Sequence, residues 1–260
     1  MRKLLKKIIY FINDFRNSKN FKKNYGSFKG IYNNFNEARK NSPRSNVGYN
    51  NDESVERLMY RCEELKCKIQ EPEYPLFFYL NRILNKNKQV NIIDLGGAFG
   101  VHYFKYINNA IHNNFNWTVI EVEKIALKGE EKFGNKNLSF VSSFKEIEGK
   151  DILISSGAIQ YIENFSLNSV NNKPKHILFS RLPIQDRYKT FVTLQNAKSS
   201  FNPQYIFNKK EFISSYENMG YTLVDEWVSL SDKAIIPFNR EKSCGFYSGF
   251  YFKLKGGSLQ

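Results

Sequence analysis

The first sixteen residues alternate apolar and charged positions with the period of an α-helix. The apolar stripe of this helix consists of Leu4, Leu5, Ile8, Ile9, Ile12 and Phe15. The opposite face carries Lys3, Lys6, Lys7, Asn13 and Asp14. A basic amphipathic helix can lie in an anionic membrane interface, or its stripe can pack on the protein body or a second subunit. The pattern alone leaves both interpretations open.

The next segment lacks a regular hydrophobic period. Residues 17–56 are rich in Asn, Lys, Ser and Gly with scattered aromatic residues, which predicts an irregular arm. Helical patterns then cover residues 53–69 and 74–85, and a proline-containing stretch separates them. We therefore predict an N-terminal helix over residues 1–23 and a region of arm and helices over residues 24–86.

From residue 87 onwards, short apolar runs alternate with segments of helical period. The predicted strands cover residues 90–95, 117–121, 138–141, 151–155, 176–180, 221–230 and 246–254. Regular alternation of this kind predicts a parallel sheet with helices on both faces, within a domain over residues 87–255. The last two strands have no helix between them, which predicts a terminal antiparallel hairpin. Residues 184–206 show little periodicity and are predicted to form a lid.

The positive charge is concentrated at the N-terminus. The formal net charge is +14, and residues 1–23 hold eight Lys or Arg residues against Asp14 alone, a net charge of +7. The remainder is mildly basic and lacks a dense Lys/Arg cluster, so nucleic acid is a disfavoured partner.

The sparse cysteines and histidines favour a reducing compartment and no metal site. The three cysteines form no CxxC pair and no metal-ligand spacing with histidine. No apolar run approaches the roughly 20 residues that span a bilayer, and no signal-peptide pattern is present. The sequence predicts a cytoplasmic protein, with the inner membrane face as an alternative location.

Residues 90–100 combine a β-branched run, an acid and three glycines within five positions. A buried strand that ends in such a turn lets the backbone approach a ligand and presents free N–H groups from the next helix. The dinucleotide spacing of glycines at i, i+2 and i+5 fails, because Gly96 is followed there by Ala98 and Val101. No Gly-Lys-Ser/Thr sequence is present either, which excludes a P-loop. The turn therefore indicates another nucleotide-like cofactor.

In a parallel sheet of this type the ligand lies beyond the carboxyl ends of the strands. The residues at those ends are Gly96, Gly97, Ala98, Phe99, Gly100, Glu121, Ser142, Ser143, Ser156, Gly157 and Arg181. Glu121 follows the second strand, where a carboxylate can accept both hydroxyls of a ribose, although it could also be a plain surface acid.

The stretch Asp94-Leu-Gly-Gly-Ala-Phe-Gly100 resembles the Asp-x-Gly-x-Gly-x-Gly turn of class I S-adenosylmethionine (SAM) methyltransferases, with Ala98 replacing the middle glycine. Glu121 matches the ribose acid of that family, and residues 155–162 resemble its fourth-strand motif. The resemblance implies a Rossmann-like α/β fold with strand order 3-2-1-4-5-7-6, the last strand antiparallel. It also implies SAM as the cofactor.

The resemblance assigns each cofactor residue a role. Asp94 would orient the methionine amino group through water or backbone. Gly96, Gly97 and Ala98 would let the methionine part lie against the backbone, and Phe99 and Gly100 complete the cofactor-binding turn. Glu121 would hold the ribose. Ser142, Ser143 or Phe144 would flank the adenine, and Ser156 and Gly157 would face the sulfonium.

A narrower resemblance rests on a set of motifs in a fixed order. The motifs are Phe28-Lys-Gly-Ile-Tyr32, Gly48-Tyr49, the glycine turn, Gln160-Tyr161, Arg181-Leu-Pro183 and Thr193-Leu-Gln195. Over residues 26–254 the chain resembles methyltransferases of bacterial capsule and O-antigen clusters. That resemblance implies O-methylation of a capsular or lipopolysaccharide sugar, of an anionic substituent such as a phosphoramidate, or of a nucleotide-activated precursor. The alternatives are a nucleic-acid methyltransferase and a non-catalytic adaptor at the membrane.

The acceptor side carries two candidate catalytic residues, His102 and Arg181. His102 lies in the first turn of a helix, whose N-terminus disfavours imidazolium, so a neutral His102 could act as a base. It could equally pack under the sheet or contact the carboxylate of SAM. Arg181 follows an apolar strand and suits binding of an anionic group, unless it pairs with Asp186 or Glu163. Gln160, Tyr161 and Gln195 would complete the acceptor pocket.

Overall fold

The computed structural model describes residues 2–43, 48–84, 88–112 and 114–256. The helices are α1 (Arg2–Lys19), α2 (Phe35–Lys40), α3 (Asp52–Leu65), α4 (Tyr74–Ile83), α5 (Val101–Ile107), α6 (Glu123–Phe133) and α7 (Lys209–Asn218). The first six strands are β1 (Phe28–Tyr32), β2 (Val90–Leu95), β3 (Phe115–Ile120), β4 (Leu138–Val141), β5 (Ile152–Ser156) and β6 (His176–Leu182). The others are β7 (Ile184–Gln185), β8 (Phe191–Asn196), β9 (Phe201–Asn208), β10 (Tyr221–Ser229) and β11 (Tyr247–Leu254). The predicted helix end at residue 85 and the domain boundary at 86–87 lie outside the described residues.

Seven strands form the larger sheet, in the order β10-β11-β6-β5-β2-β3-β4. Strands β2 to β6 run parallel, and β11 runs antiparallel to β6 and β10. This is the predicted seven-stranded, mostly parallel sheet, with the predicted antiparallel hairpin at one edge. The predicted α/β fold class is confirmed.

The central strands are buried on both faces because helices cover both sides of the sheet. Neighbouring residues of one strand enter opposite cores: Ile92 packs with one cluster and Ile93 with the other. β5 behaves in the same way, with Ile154 in the first cluster and Leu153 in the second. Double burial explains why these strands are continuous apolar runs without an alternating pattern.

A second sheet of four strands, in the order β1-β8-β9-β7, lies outside this frame. β8 pairs antiparallel with β1 from the N-terminal arm and with β9 from the segment after β6. A separate core of Phe21, Tyr32, Phe35, Val192, Leu194 and Phe201 stabilises it together with α2. The prediction of an irregular arm over residues 17–56 was therefore wrong, because β1 of this arm pairs with β8 in one sheet. Residues 184–206 also contain strands, and their role as a lid stays a prediction.

Helix α1 is present, but its apolar stripe does not pack on the body of the chain. Side chains from Leu5 to Phe15 on that stripe are exposed, whereas Asp14 on the opposite face is buried. The side chains of Lys3, Leu4, Lys6 and Lys7 lie outside the described residues. Within the described ranges, no helix is both long and apolar enough to cross a membrane.

Candidate functional site

A cavity of about 740 Å³ lies at the carboxyl ends of β2, β3, β5 and β6. Its volume falls in the range of roughly 300–1,000 Å³ that is typical of small-molecule sites. One wall comes from the seven-stranded sheet, and the facing wall comes from α2, α3, β8 and β9. The cavity therefore occupies the position at which parallel α/β sheets bind ligands.

The glycine turn forms the floor of the cavity at the end of β2. Gly96 and Ala98 both adopt positive φ, at 74° and 50°, so the chain reverses sharply here. A Cβ atom on Gly96 would collide with Ala158, and one on Gly97 would collide with the carboxylate of Asp94. The turn is thus packed from beneath, while its upper surface is bare backbone facing the cavity.

Asp94 supports this turn from below and does not line the cavity. It is fully buried, and its Oδ2 accepts hydrogen bonds from His102 Nδ1 at 3.0 Å and from Trp117 Nε1 at 3.4 Å. Gly97 and His102 adjoin this carboxylate and line the cavity. The expectation that Asp94 acts on a ligand through backbone or water stays a prediction.

Glu121 lies at the end of β3 and lines the cavity beside the turn. Its Oε1 accepts a hydrogen bond from the Ala98 N–H at 3.0 Å, and its Oε2 accepts one from the Val122 N–H at 3.1 Å. Burial raises the pKa of Glu121 to about 7, although the two backbone N–H groups act in the opposite direction. A ligand hydroxyl that donates to this carboxylate would favour its ionised form.

The structure separates the remaining predicted cofactor residues into two groups. Ser142, Ser156 and Gly157 line the cavity, as does Phe144. Phe99, Gly100 and Ser143 do not: Phe99 packs in the core, Gly100 caps α5, and Ser143 caps a short 3-10 helix. Ser156 Oγ is buried and has no hydrogen-bond partner within the described part of the chain.

A buried charged cluster, formed by Glu73, His102 and Lys105, lies next to the glycine turn and was not predicted. Lys105 Nζ lies 2.7 Å from both carboxylate oxygens of Glu73, and both side chains are almost fully buried. His102 Nε2 lies 3.9 Å from Glu73 Oε1, so His102 is placed between two carboxylates. Glu73, His102 and Lys105 all line the cavity.

This arrangement shifts the pKa of His102 in the direction opposite to the one expected from the sequence. Burial lowers the pKa of His102, but Asp94 and Glu73 together raise it by more, so the net shift is upward. The prediction that the helix N-terminus keeps His102 neutral was wrong in direction, because it took no account of the carboxylates on either side.

Arg181 lines the cavity with its guanidinium already paired. Arg181 Nε and Nη2 each donate a hydrogen bond of 2.8 Å to the two carboxylate oxygens of Asp232. Burial opposes ionisation of both groups, yet the pair raises the pKa of Arg181 and lowers the pKa of Asp232. The partner is neither Asp186 nor Glu163, which instead pairs with Arg39 at 3.0 Å.

A β-bulge orients Arg181 towards Asp232. The register between β6 and β11 shifts between Ser248 and Phe250, and Arg181 adopts a left-handed conformation with a φ of 56°. A bulge of this kind redirects one side chain and increases local twist. The strained backbone at the cavity marks a site where the surrounding contacts hold one geometry.

The three predicted acceptor residues, Gln160, Tyr161 and Gln195, all line the cavity. The Tyr161 hydroxyl donates a hydrogen bond to Gln195 Oε1, and Tyr49 packs edge-to-face on Tyr161 with ring centroids 5.7 Å apart. Gln160 Oε1 is buried without a partner among the residues described, and the side-chain amide of Asn202 lies beside the Tyr49 hydroxyl. Asn202 was not predicted, because a lone amide in an aperiodic segment gives no signal in the sequence.

Known proteins resemble the chain in structure but not in sequence. No protein-family model and no curated protein sequence matches it. A glycopeptide N-methyltransferase, MtfA, complexed with S-adenosylhomocysteine shares 9% identity at a TM-score of 0.50 and covers 80% of this chain and 100% of its own. OxaC in complex with sinefungin and meleagrin shares 13% identity at a TM-score of 0.50, over 80% of this chain and 53% of its own.

A structure from Listeria monocytogenes, described as an S-adenosylmethionine-dependent methyltransferase, shares 15% identity at a TM-score of 0.48, over 69% of this chain and 97% of its own. At these identities, likeness speaks only for the fold. The strand order and the matches to MtfA and OxaC agree on that fold. The chain has the fold of the class I S-adenosylmethionine-dependent methyltransferases.

Proposed function

We propose that the chain is a SAM-dependent O-methyltransferase whose acceptor is the hydroxyl group of a sugar, in a surface glycan or its nucleotide-activated precursor. One observation carries the proposal: a single cavity combines a bare glycine turn and a strand-end acid with a separate region that holds the amides of Gln160 and Gln195 and the hydroxyl of Tyr161. The first set suits a nucleoside-like cofactor, and the second suits a polyhydroxylated acceptor.

The residues present fit SAM. Gly96 and Gly97 leave the backbone open along one side of the cavity, and Glu121 offers carboxylate oxygens for ribose hydroxyls. Ser142 and Phe144 would flank the adenine, and the unpartnered hydroxyl of Ser156 is free to bond to the ligand. When bound, SAM supplies a methyl group on a positively charged sulfur; the chain aligns the acceptor and excludes water.

The Arg181–Asp232 pair favours a neutral hydroxyl over an anionic substituent at its own part of the cavity. Asp232 already neutralises Arg181, so the guanidinium is not free to bind a phosphoramidate. The unpartnered amide oxygen of Gln160 can accept a hydrogen bond from a hydroxyl, next to the ring of Tyr161. Arg57 also lines the cavity, and its Nε has no described partner. It would suit the phosphates of a nucleotide-activated sugar.

Methylation of a hydroxyl also requires that its proton be removed. Two residues of the buried charged cluster, Glu73 and His102, line the cavity and are candidates to accept this proton. Asp94 holds His102 by its Nδ1, which directs Nε2 away from Asp94 and towards Glu73. The role of His102 as the base stays a prediction, and Glu73 becomes its alternative.

Calorimetric titration with SAM and S-adenosylhomocysteine tests the cofactor. We expect a Kd between roughly 1 µM and 1 mM for the wild type, by analogy with typical substrate constants. Gly97→Asp should abolish binding, since its side chain would collide with Asp94. Gly245→Asp is the matched control, because no atom lies within 4 Å of a Cβ at Gly245. Glu121→Gln, which keeps the shape, should weaken binding without loss of fold.

The acceptor is tested by mass spectrometry of nucleotide-activated sugars incubated with the protein and SAM. A product heavier by one methyl group, absent with Gly97→Asp, is the expected result. No binding of SAM or S-adenosylhomocysteine by the folded wild type would refute the proposed function. Cofactor binding together with methylation of RNA alone would refute the sugar acceptor.

A further inference from the structure

Helix α1 is fixed to the body of the protein through one face only. The carboxylate of Asp14, which is 4% exposed, accepts hydrogen bonds from Arg240 Nη2 at 2.6 Å and from the Phe238 N–H at 3.0 Å. The guanidinium of Arg240 also lies over the ring of Tyr10, at 4.4 Å from its centroid. Phe11 packs edge-to-face on Phe238 at 5.9 Å. These contacts fix which side of α1 faces the protein.

The other side of α1 is a continuous apolar row that faces outward. The exposed fractions are 60% for Leu5, 49% for Ile8, 46% for Ile9, 58% for Ile12 and 60% for Phe15. These positions repeat every three or four residues, so they form one stripe along the helix. A contiguous apolar surface on a folded chain marks an interaction site.

The charge around the stripe identifies the kind of partner. Arg16, Lys19, Lys22 and Lys23 are exposed at and beyond the end of the stripe. Residues 1–23 together carry a net charge of +7. A second copy docked on the stripe would bring an equal positive charge close to the first, which disfavours self-association. An anionic surface complements both the charge and the apolar row.

We propose that α1 lies in the interface of an anionic lipid bilayer, with the apolar stripe in the acyl boundary and the basic side chains among the headgroups. A helix parallel to the membrane plane uses this combination of apolar face and flanking positive charge. The proposal concerns where the protein is held and does not depend on the proposed methyl transfer.

Sedimentation with vesicles tests this surface. Vesicles of phosphatidylcholine mixed with phosphatidylglycerol are compared with vesicles of phosphatidylcholine alone. The test variant is Ile8→Ser/Ile12→Ser/Phe15→Ser, which alters exposed positions only. The matched control is Ile111→Ser/Leu127→Ser/Leu230→Ser, at positions that are 72%, 67% and 76% exposed elsewhere on the chain. A third variant, Arg16→Gln/Lys19→Gln, removes charge and keeps the stripe.

We expect the wild type and the control to bind the phosphatidylglycerol vesicles and the stripe variant to bind about tenfold more weakly or worse. The charge variant should bind more weakly, and added salt should reduce wild-type binding. Equal binding by the wild type and the stripe variant would overturn the proposal, as would equal wild-type binding to both kinds of vesicle. A wild-type dimer that the stripe variant loses, with no vesicle binding, would also overturn it and identify a second copy as the partner.

Titration of S-adenosylhomocysteine into the same preparations separates this outcome from that of the proposed function. Substitutions on α1 should leave its Kd unchanged, because no α1 side chain that the structure describes lines the cavity. Should the stripe variant fail to fold, the charge variant and the salt dependence still decide the question.

Discussion

The two walls of the cavity are built in different ways. The wall of the large sheet comes from the glycine turn, the strand ends and the first turns of α5 within residues 95–157, held by apolar strands. The facing wall combines polar and apolar side chains from distant parts of the chain, and Asn202 in this wall accepts a hydrogen bond from the Gly48 N–H at 2.9 Å. Behind the wall, Thr193 of β8 donates a hydrogen bond to the Gly30 carbonyl at 2.8 Å. Local backbone motifs can therefore specify the wall proposed to bind the cofactor (the cofactor wall), whereas the wall proposed to bind the acceptor (the acceptor wall) depends on long-range pairing of buried polar groups.

A substitution in the buried charged cluster, where the two walls meet, should give the largest change in stability. Glu73→Gln removes the charge that neutralises Lys105, which is 1% exposed. We expect a loss of about 3–5 kcal/mol in the free energy of unfolding, because an unpaired buried charge is strongly destabilising. Urea denaturation measures this loss.

Glu71→Gln is the control, because Glu71 is an exposed acid two residues before Glu73 in the sequence. This variant should change the free energy of unfolding by less than about 0.5 kcal/mol. The double variant Glu73→Gln/Lys105→Met should recover part of the loss. If Glu73→Gln is as stable as the wild type, the ion pair does not stabilise the junction between the two walls.

A smaller change isolates the cofactor wall. Gly97→Ala places a methyl group against the Asp94 carboxylate, so the turn has to move. We expect a loss of about 1–3 kcal/mol in the free energy of cofactor binding, the usual range for overpacking. Calorimetry with S-adenosylhomocysteine measures it, with Gly245→Ala as the control. An unchanged Kd would mean that the ligand does not lie along the turn.

The pH dependence of cofactor binding gives the next effect. Burial raises the pKa of Glu121 to about 7, so its carboxylate loses most of its charge as pH falls through that value. If binding needs the ionised form, Kd should rise about tenfold between about pH 8 and about pH 6. Glu121→Gln should remove this dependence. A pH profile that is the same in both proteins would assign the titration to another group.

The smallest expected effect tests the acceptor wall. Tyr161→Phe removes the hydroxyl that donates to Gln195. We expect kcat/KM for the acceptor to fall by the equivalent of about 0.5–1.5 kcal/mol, the net contribution of one hydrogen bond. The Kd of S-adenosylhomocysteine should stay constant, since the two walls act separately. A parallel loss in cofactor affinity would show that they do not.

The sequence predicts the wall of the large sheet well and the facing wall poorly. The large sheet was predictable because each central strand is a continuous apolar run, and the glycine turn because its residues are consecutive. β8 and β9 were missed because buried polar residues such as Thr193, Asn202 and Gln204 interrupt the hydrophobic pattern. Their hydrogen bonds form only after distant segments meet.

The charged residues at the cavity show the same limit of prediction from sequence. The sequence placed Arg181 at a strand end, but its partner Asp232 lies 51 residues further along the chain. Glu73 and Lys105 each look like ordinary surface charges on helical segments, and only the packing of α4 and α5 against the large sheet buries them together. Sequence periodicity predicts which faces are buried; it does not predict which charges meet.

The segment of residues 231–246 gives α1 and the cavity a common support. Its Asp232 holds Arg181 at the cavity, and its Arg240 holds Asp14 of α1. Between them Ala234 and Ile236 are fully buried, and Ala234 exchanges two backbone hydrogen bonds of 2.9 Å with Cys244. The segment is therefore packed into the protein body and is not a loose linker between α1 and the cavity. If α1 lies on a bilayer as proposed, this packed segment would hold the cavity near that surface, and access for the acceptor would then depend on its distance from the bilayer.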